Sequence, residues 1–190
     1  MQVAHYSLVP ALWVIWAIYW CIAARGVKPV ERRESVASRL GHALPLAAAA
    51  LLFFIVPSTP AWLGERFLPS GTAVYLGGVG LVVAGLLLCV WARVALGGNW
   101  SGTVTLKQNH EIVRAGPYRR IRHPIYTGLL LMFLGSAIAL GEWRGLLALA
   151  IAFAALWRKL KLEERWLGER FGAAYAAYRE CSSALIPLIL

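Results

Sequence analysis

The sequence predicts an all-α, polytopic membrane protein with about five transmembrane helices. Three observations carry that expectation: an apolar composition, its concentration in long runs, and the confinement of cations to alternate segments between those runs. Hydrophobic residues make up 59% of the 190-residue chain and charged residues 15%, against about 45–50% and about 25% in a soluble domain. The runs are too long, and too apolar all round, to be faces of a water-soluble core. The net charge of +10 would suit nucleic acid by magnitude alone. Its placement argues otherwise, because the cations border apolar runs, where they meet anionic headgroups. Cys21, Cys89 and Cys181 form no CxxC pair and two lie inside apolar runs, so neither a disulfide framework nor a metal centre is indicated.

The first run spans Ser7 to Ala24 and lacks the basic flank and cleavage site of a secretory leader. Its Trp13, Trp16, Tyr19 and Trp20 read as interfacial or packing aromatics. The second, Ala43 to Val56, crosses hydrocarbon only with help from its flanks. Just before it, His42 reads as exposed or interfacial. The third, Ala73 to Leu96, is long enough by itself, and its Gly80 and Ala84 form a small-xxx-small pair for close helix packing. The fourth, Tyr126 to Leu140, and the fifth, Leu146 to Trp157, are short and joined by residues 141–145, which reads as a tight helical hairpin. The last segment, Arg158 to Glu180, places Leu160, Leu167, Phe171, Tyr175 and Tyr178 on one helical stripe, the pattern of an interfacial amphipathic helix. Glu163 and Glu164 interrupt that pattern, and carboxylates beside an apolar face usually have a partner.

Of the 19 Lys and Arg residues, 17 fall in segments 25–40, 93–124 and 158–179. The outliers are Arg66 and Arg144. The positive-inside rule then puts the N-terminus outside and the C-terminus in the cytoplasm, in agreement with an odd number of spans. Residues 1–96 form three N-terminal helices, and residues 97–190 form the region with the chemistry, as one integrated domain.

That chemistry begins at Gly116. Pro124 disfavours helix at His123 and suits the first turn of the helix that follows. Arg122, His123 and Tyr126 therefore sit at a helix N-terminus, where free N–H groups and added cations suit a carboxylate. Glu163 and Glu164 offer the complementary charge. Together the two elements would hold a zwitterionic amino-acid group, such as that of S-adenosylmethionine. The plainer reading of the first element is a basic juxtamembrane cluster.

At these residues the chain resembles the isoprenylcysteine carboxyl methyltransferase family, within a wider group that includes phospholipid methyltransferases. The resemblance covers about residues 100–190. Its first block is Gly-x-Tyr-x-x-x-Arg-His-Pro-x-Tyr-x-Gly, met by Gly116 through Gly128. Its second is met by Glu163, Glu164, Leu167, Phe171, Gly172, Tyr175, Tyr178 and Pro187. The resemblance implies an S-adenosylmethionine pocket in the cytoplasmic C-terminal half. It implies cofactor contacts at Gln108, His110, Val113, Tyr118, Arg122, His123, Pro124, Ile125, Tyr126 and Glu163. A substrate-contacting arginine of the family falls on Lys159, with Arg158 adjacent. No residue is implied as a covalent catalyst; Arg122 and Glu164 are the candidates for a direct role.

The expected reaction is methyl transfer to a lipophilic acceptor, a carboxylate of a prenylcysteine-like or other isoprenoid or lipid molecule. The expected partners are the bilayer and that acceptor, with no nucleic acid. Alternatives are a phospholipid amine N-methyltransferase, a nicotinamide-dependent membrane reductase and a non-catalytic membrane protein. The richness in Ala, Leu and Arg suggests a bacterial inner membrane.

Overall fold

The computed structural model describes residues 7–25, 27–53, 60–107 and 111–187. It is mainly helical: α1 (Leu8–Ala23), α2 (Val36–Leu51), α3 (Thr72–Leu96), α4 (Pro124–Leu140), α5 (Trp143–Phe171) and α6 (Ala173–Glu180). Two short strands depart from the all-α expectation. β1 (Val30–Arg33) pairs antiparallel with β2 (Thr105–Lys107), setting Val30 opposite Lys107 and Arg33 opposite Thr105. The pairing ties the α1–α2 connection to the α3–α4 connection.

The centre of the molecule is the α3–α4 pair. A Cβ at Gly78 would come within 2.6 Å of the Ala139 nitrogen, and one at Gly128 within 2.6 Å of Cys89 Sγ. Only glycine permits backbones this close. Gly80, the expected packing residue, has nothing within 4 Å of such a Cβ. The spacing is right but the stripe is rotated, because α4 packs on the face carrying Gly78, Val82 and Gly85. Met132, Val82 and Cys89 fill this interface at 0% exposure.

Among the described residues, one helical stretch, Thr72–Asn99, has the length and hydropathy (2.4 on average) to cross a membrane. α1, α2 and α4 are shorter apolar helices. The 16 residues of α1 and of α2 reach about 24 Å, short of the roughly 30 Å of hydrocarbon. Their outward residues are nonetheless apolar: Ile15, Ile18 and Ile22 on α1 and Leu40 and Leu44 on α2 are exposed, as are Leu87, Trp91 and Val94 on α3. α2 starts earlier than its apolar run because Ser35 caps it, accepting the Ser38 N–H at 3.1 Å.

The C-terminal segment also differs from expectation. It is not a separate interfacial helix. α5 runs 29 residues without a break, from the apolar Trp143–Trp157 stretch into the charged stretch. No Gly or Pro separates the two stretches, and Leu, Lys, Glu and Arg sustain helix. The break comes at Gly172, whose φ of +50° ends α5 and starts α6. The two outlying cations are used at helix ends. Arg66 Nη1 donates to Leu140 O at 3.0 Å and Arg144 Nη1 to Leu52 O at 3.1 Å, satisfying terminal carbonyls.

Candidate active site

The start of α4 is held by the chain's last described residues. Arg122 N–H donates to Ser183 O at 2.8 Å and His123 N–H to Ala184 O at 3.0 Å. Thr127 Oγ1 donates to Leu185 O at 2.7 Å. The amides of Arg122 and His123, expected to be free for a ligand, are thus committed to this tail. On the other side, Tyr178 O–H donates to Tyr118 O at 2.6 Å and fixes the turn Gly116–Arg119 against α6. Burial pushes the Tyr118 phenol well up, with the Glu163 carboxylate adding to it, so it stays protonated.

The charges the sequence set in two distant blocks meet across α4 and α5. Arg122 Nε donates to Glu164 Oε1 at 2.7 Å, with both side chains under a tenth exposed. Arg122 Nη1 also donates to the Ser182 carbonyl. His123 lies between two carboxylates, its Nδ1 3.5 Å from Glu163 Oε2 and its Nε2 3.6 Å from Glu164 Oε1. Its ring stacks on Tyr126 at 5.3 Å and 5°, and Tyr126 O–H donates to Glu163 Oε1 at 2.6 Å. Burial alone would lower the His123 pKa, but Glu163 and Glu164 outweigh it and raise it. Burial would likewise raise both carboxyls. The hydrogen bonds from His123 and the charge of Lys159 instead hold Glu163 down. Those from His123 and Arg122 hold Glu164 at about 2.

This network forms one wall of a cavity of about 360 Å³, within the range of small-molecule sites. Val113, Tyr118, Arg122, His123, Ile125, Tyr126, Lys159 and Glu163 all line it. Pro124 is fully buried behind that wall. Glu164 lies behind it as well, as the partner of Arg122. Arg158 turns away, donating to Ser38 O at 2.9 Å. Its neighbour Lys159 turns inward, donating to Gly102 O at 2.8 Å, with Nζ 5.4 Å from the Tyr126 ring centre. Gln108 and His110 lie outside the described residues.

Sequence reasoning missed the first half's share of the site. Trp16 and Trp20, which read in sequence as interfacial or packing aromatics, line the cavity together with Leu46 of α2. His42, expected at the surface, is 3% exposed and packs Nε2 3.4 Å from Glu34 Oε1. A signal for Glu34 exists, since it is an acid just before a helix cap in a basic segment; the tryptophans carry none. The cavity thus has an apolar side, with Trp16, Trp20, Leu46, Leu129 and Leu156, and a polar side at the α4–α5–α6 junction. On the polar side, Tyr175 Oη is buried with no hydrogen-bond partner among the described residues.

Known proteins resemble this chain over the same region. The sequence model of the phospholipid methyltransferase family (PEMT) matches residues 73–174. The protein-S-isoprenylcysteine O-methyltransferase of Schizosaccharomyces pombe is 32% identical over 117 residues, 58% of this chain and 48% of that one. Protein-S-isoprenylcysteine O-methyltransferase B of Arabidopsis thaliana is 27% identical over 119 residues, 59% of this chain and 58% of that one. The chain therefore spans about half the length of these relatives. The solved structure of a eukaryotic intramembrane Ras methyltransferase, isoprenylcysteine carboxyl methyltransferase, matches with a TM-score of 0.56 at 24% identity. The match covers 77% of this chain and 52% of that one, and is a likeness of fold.

Proposed function

This chain belongs to the phospholipid methyltransferase family, and on that premise we propose that it is an S-adenosylmethionine-dependent methyltransferase acting on a lipophilic acceptor. The observation that carries the reading is one cavity with two unlike sides. A charged side joins Arg122, His123, Tyr126 and Glu163, and an apolar side is walled by α1, α2, α4 and α5.

The residues present fit the cofactor. Glu163 and the ring of Tyr126 suit an α-ammonium, and the tyrosines of α6 suit an adenosine face. When bound, S-adenosylmethionine supplies a sulfonium-activated methyl group for in-line displacement. What the chain contributes is positioning and exclusion of water. Arg122 and Glu164 hold the start of α4 in place, so His123 and Tyr126 meet the cavity at fixed angles. We assign no proton-transfer residue, because a carboxylate nucleophile is already ionised at neutral pH.

The acceptor is proposed to be a carboxylate of a prenylcysteine-like or other isoprenoid molecule. The Schizosaccharomyces pombe and Arabidopsis thaliana relatives are named for O-methylation of an isoprenylcysteine. Lys159 supports the choice, since its buried ammonium attracts a carboxylate and repels an ammonium. The phospholipid amine reading is kept because the matching family is named for phospholipids. The same cation weighs against it. We further propose five crossings with the N-terminus outside and the C-terminus in the cytoplasm of a bacterial inner membrane. A lipid acceptor would enter from the bilayer, and the cofactor from the cytoplasm. Transfer of labelled methyl to N-acetyl-S-farnesylcysteine and to phosphatidylethanolamine, by purified protein in lipid discs, tests this directly. Label in the first and not the second is expected. Failure to bind S-adenosylmethionine at all would sink the proposal.

A further inference from the structure

Glu34 and His42 form a buried polar pair that the methyl-transfer chemistry leaves unused. Glu34 lies between β1 and the cap of α2, and its side chain is 2% exposed. Its Oε1 accepts the Val104 N–H at 3.0 Å, and its own N–H donates to Val104 O at 3.1 Å. His42 Nε2 stands 3.4 Å from the same Oε1, and Oε2 is buried with no hydrogen-bond partner among the described residues. Burying a carboxylate costs several kcal/mol unless it is paired, so it is retained for what it holds. What it holds is the strip Gly102–Thr105, every residue of which lines the cavity. At the other end of that strip, Gly102 O receives Lys159 Nζ at 2.8 Å. Thr105 ends the strip, and its Oγ1 is buried with no hydrogen-bond partner among the described residues.

We propose that Glu34, braced by His42, is a positioning residue for the methyl acceptor. It sets the Gly102–Thr105 strip as a ledge on which the acceptor's polar head meets Lys159. This rests on the methyl-transfer reading. The ledge is tied through Gly102 O, 2.8 Å from Lys159 Nζ, to the cation proposed to meet the acceptor, whereas the proposed cofactor contacts are Tyr126, Glu163 and the tyrosines of α6. Glu34 works through its length, its Oε1 reaching the Val104 N–H and His42 Nε2 at once. Its charge is not the working feature, which separates it from a proton acceptor.

Two substitutions divide these roles. Glu34→Gln keeps the length and the accepting oxygen but removes the charge. Glu34→Asp keeps the charge but is too short to span both partners. Purified full-length chain in lipid discs is assayed with labelled S-adenosylmethionine and N-acetyl-S-farnesylcysteine. A wild type that binds no cofactor refutes methyl transfer itself, before any variant is compared. With an active wild type, Glu34→Gln is expected within about threefold of its acceptor KM, and Glu34→Asp raised by about tenfold or more. Cofactor affinity should stay within about twofold in both, the split that a merely structural loss would not produce. The opposite order, with Asp active and Gln low in kcat, overturns the proposal in favour of a base. Equal losses toward acceptor and cofactor, or no change in either variant, also overturn it. Should Glu34→Asp not fold, His42→Asn removes the brace and leaves the Val104 bond. An acceptor KM raised about threefold at constant cofactor affinity is then expected, and an unchanged one is contrary.

Discussion

Glu164→Ala removes the carboxylate on which two buried cations converge. Arg122 Nε is 2.7 Å from it and His123 Nε2 3.6 Å. Its carboxyl is held at about 2, below an ordinary 4.5. At about 1.4 kcal/mol per tenfold change in proton affinity, that depression corresponds to about 3 kcal/mol of native-state stability at neutral pH. Breaking a buried ion pair by removing one partner independently costs about 3–5 kcal/mol. The lower end applies, because Arg122 keeps the carbonyls of Ser182 and Arg179. Unfolding of purified protein in mixed micelles with increasing dodecyl sulfate, followed by tryptophan fluorescence, measures the loss. Glu164 contributes in full above 4.5, and its contribution fades as pH falls toward about 2. The deficit of the variant should therefore narrow to about 1 kcal/mol at pH 3. A deficit under about 1 kcal/mol at pH 7, or one of the same size at pH 3, would refute the assignment of this carboxylate as the anchor of Arg122 and His123.

Tyr126→Phe removes the donor to Glu163 Oε1 at 2.6 Å, and should weaken S-adenosylmethionine binding about tenfold in equilibrium titration, the worth of a hydrogen bond to a charged group. Lys159→Gln should raise the acceptor KM about tenfold, because its ammonium is the cation proposed to meet the acceptor carboxylate; cofactor affinity should fall less, through the charge that helps hold the Glu163 carboxyl down. Tyr178→Phe strands the Tyr118 carbonyl, and should cost about 1–2 kcal/mol in the same unfolding assay. His123 runs opposite to the carboxylates in pH. Its pKa is raised above 6.5, so its stabilisation is complete below 6.5 and lost as pH rises through the folded value. Cofactor affinity should follow that loss on the alkaline side, and in His123→Gln the alkaline fall should vanish.

The helices were legible because their causes are local. The α3 run appears almost residue for residue, since continuous apolar sequence leaves no other way to satisfy the backbone. Arg122, His123, Tyr126 and Glu163 could be named because a proline-punctuated block and an acidic pair each carry a local signature. Their meeting is a finding of the fold, with His123 between the two carboxylates of α5. Glu34 has a local signal as an acid before a helix cap, but its pairing with His42 and Val104 does not, for that depends on the β1–β2 pairing of segments some seventy residues apart.

What the sequence by itself determined is which segments are helical, where the charges concentrate, and which two blocks supply the charged wall of the cavity. Only the tertiary structure decided which neighbouring side chain enters the cavity. Arg158 and Lys159 are adjacent cations, and Lys159 lines the site while Arg158 reaches Ser38 on α2. Glu163 lines it too, while Glu164 stands behind as the partner of Arg122. Consecutive residues on a helix diverge by about 100°. The composition of α5 is the same whichever way it turns, and the helices packed against it select the face.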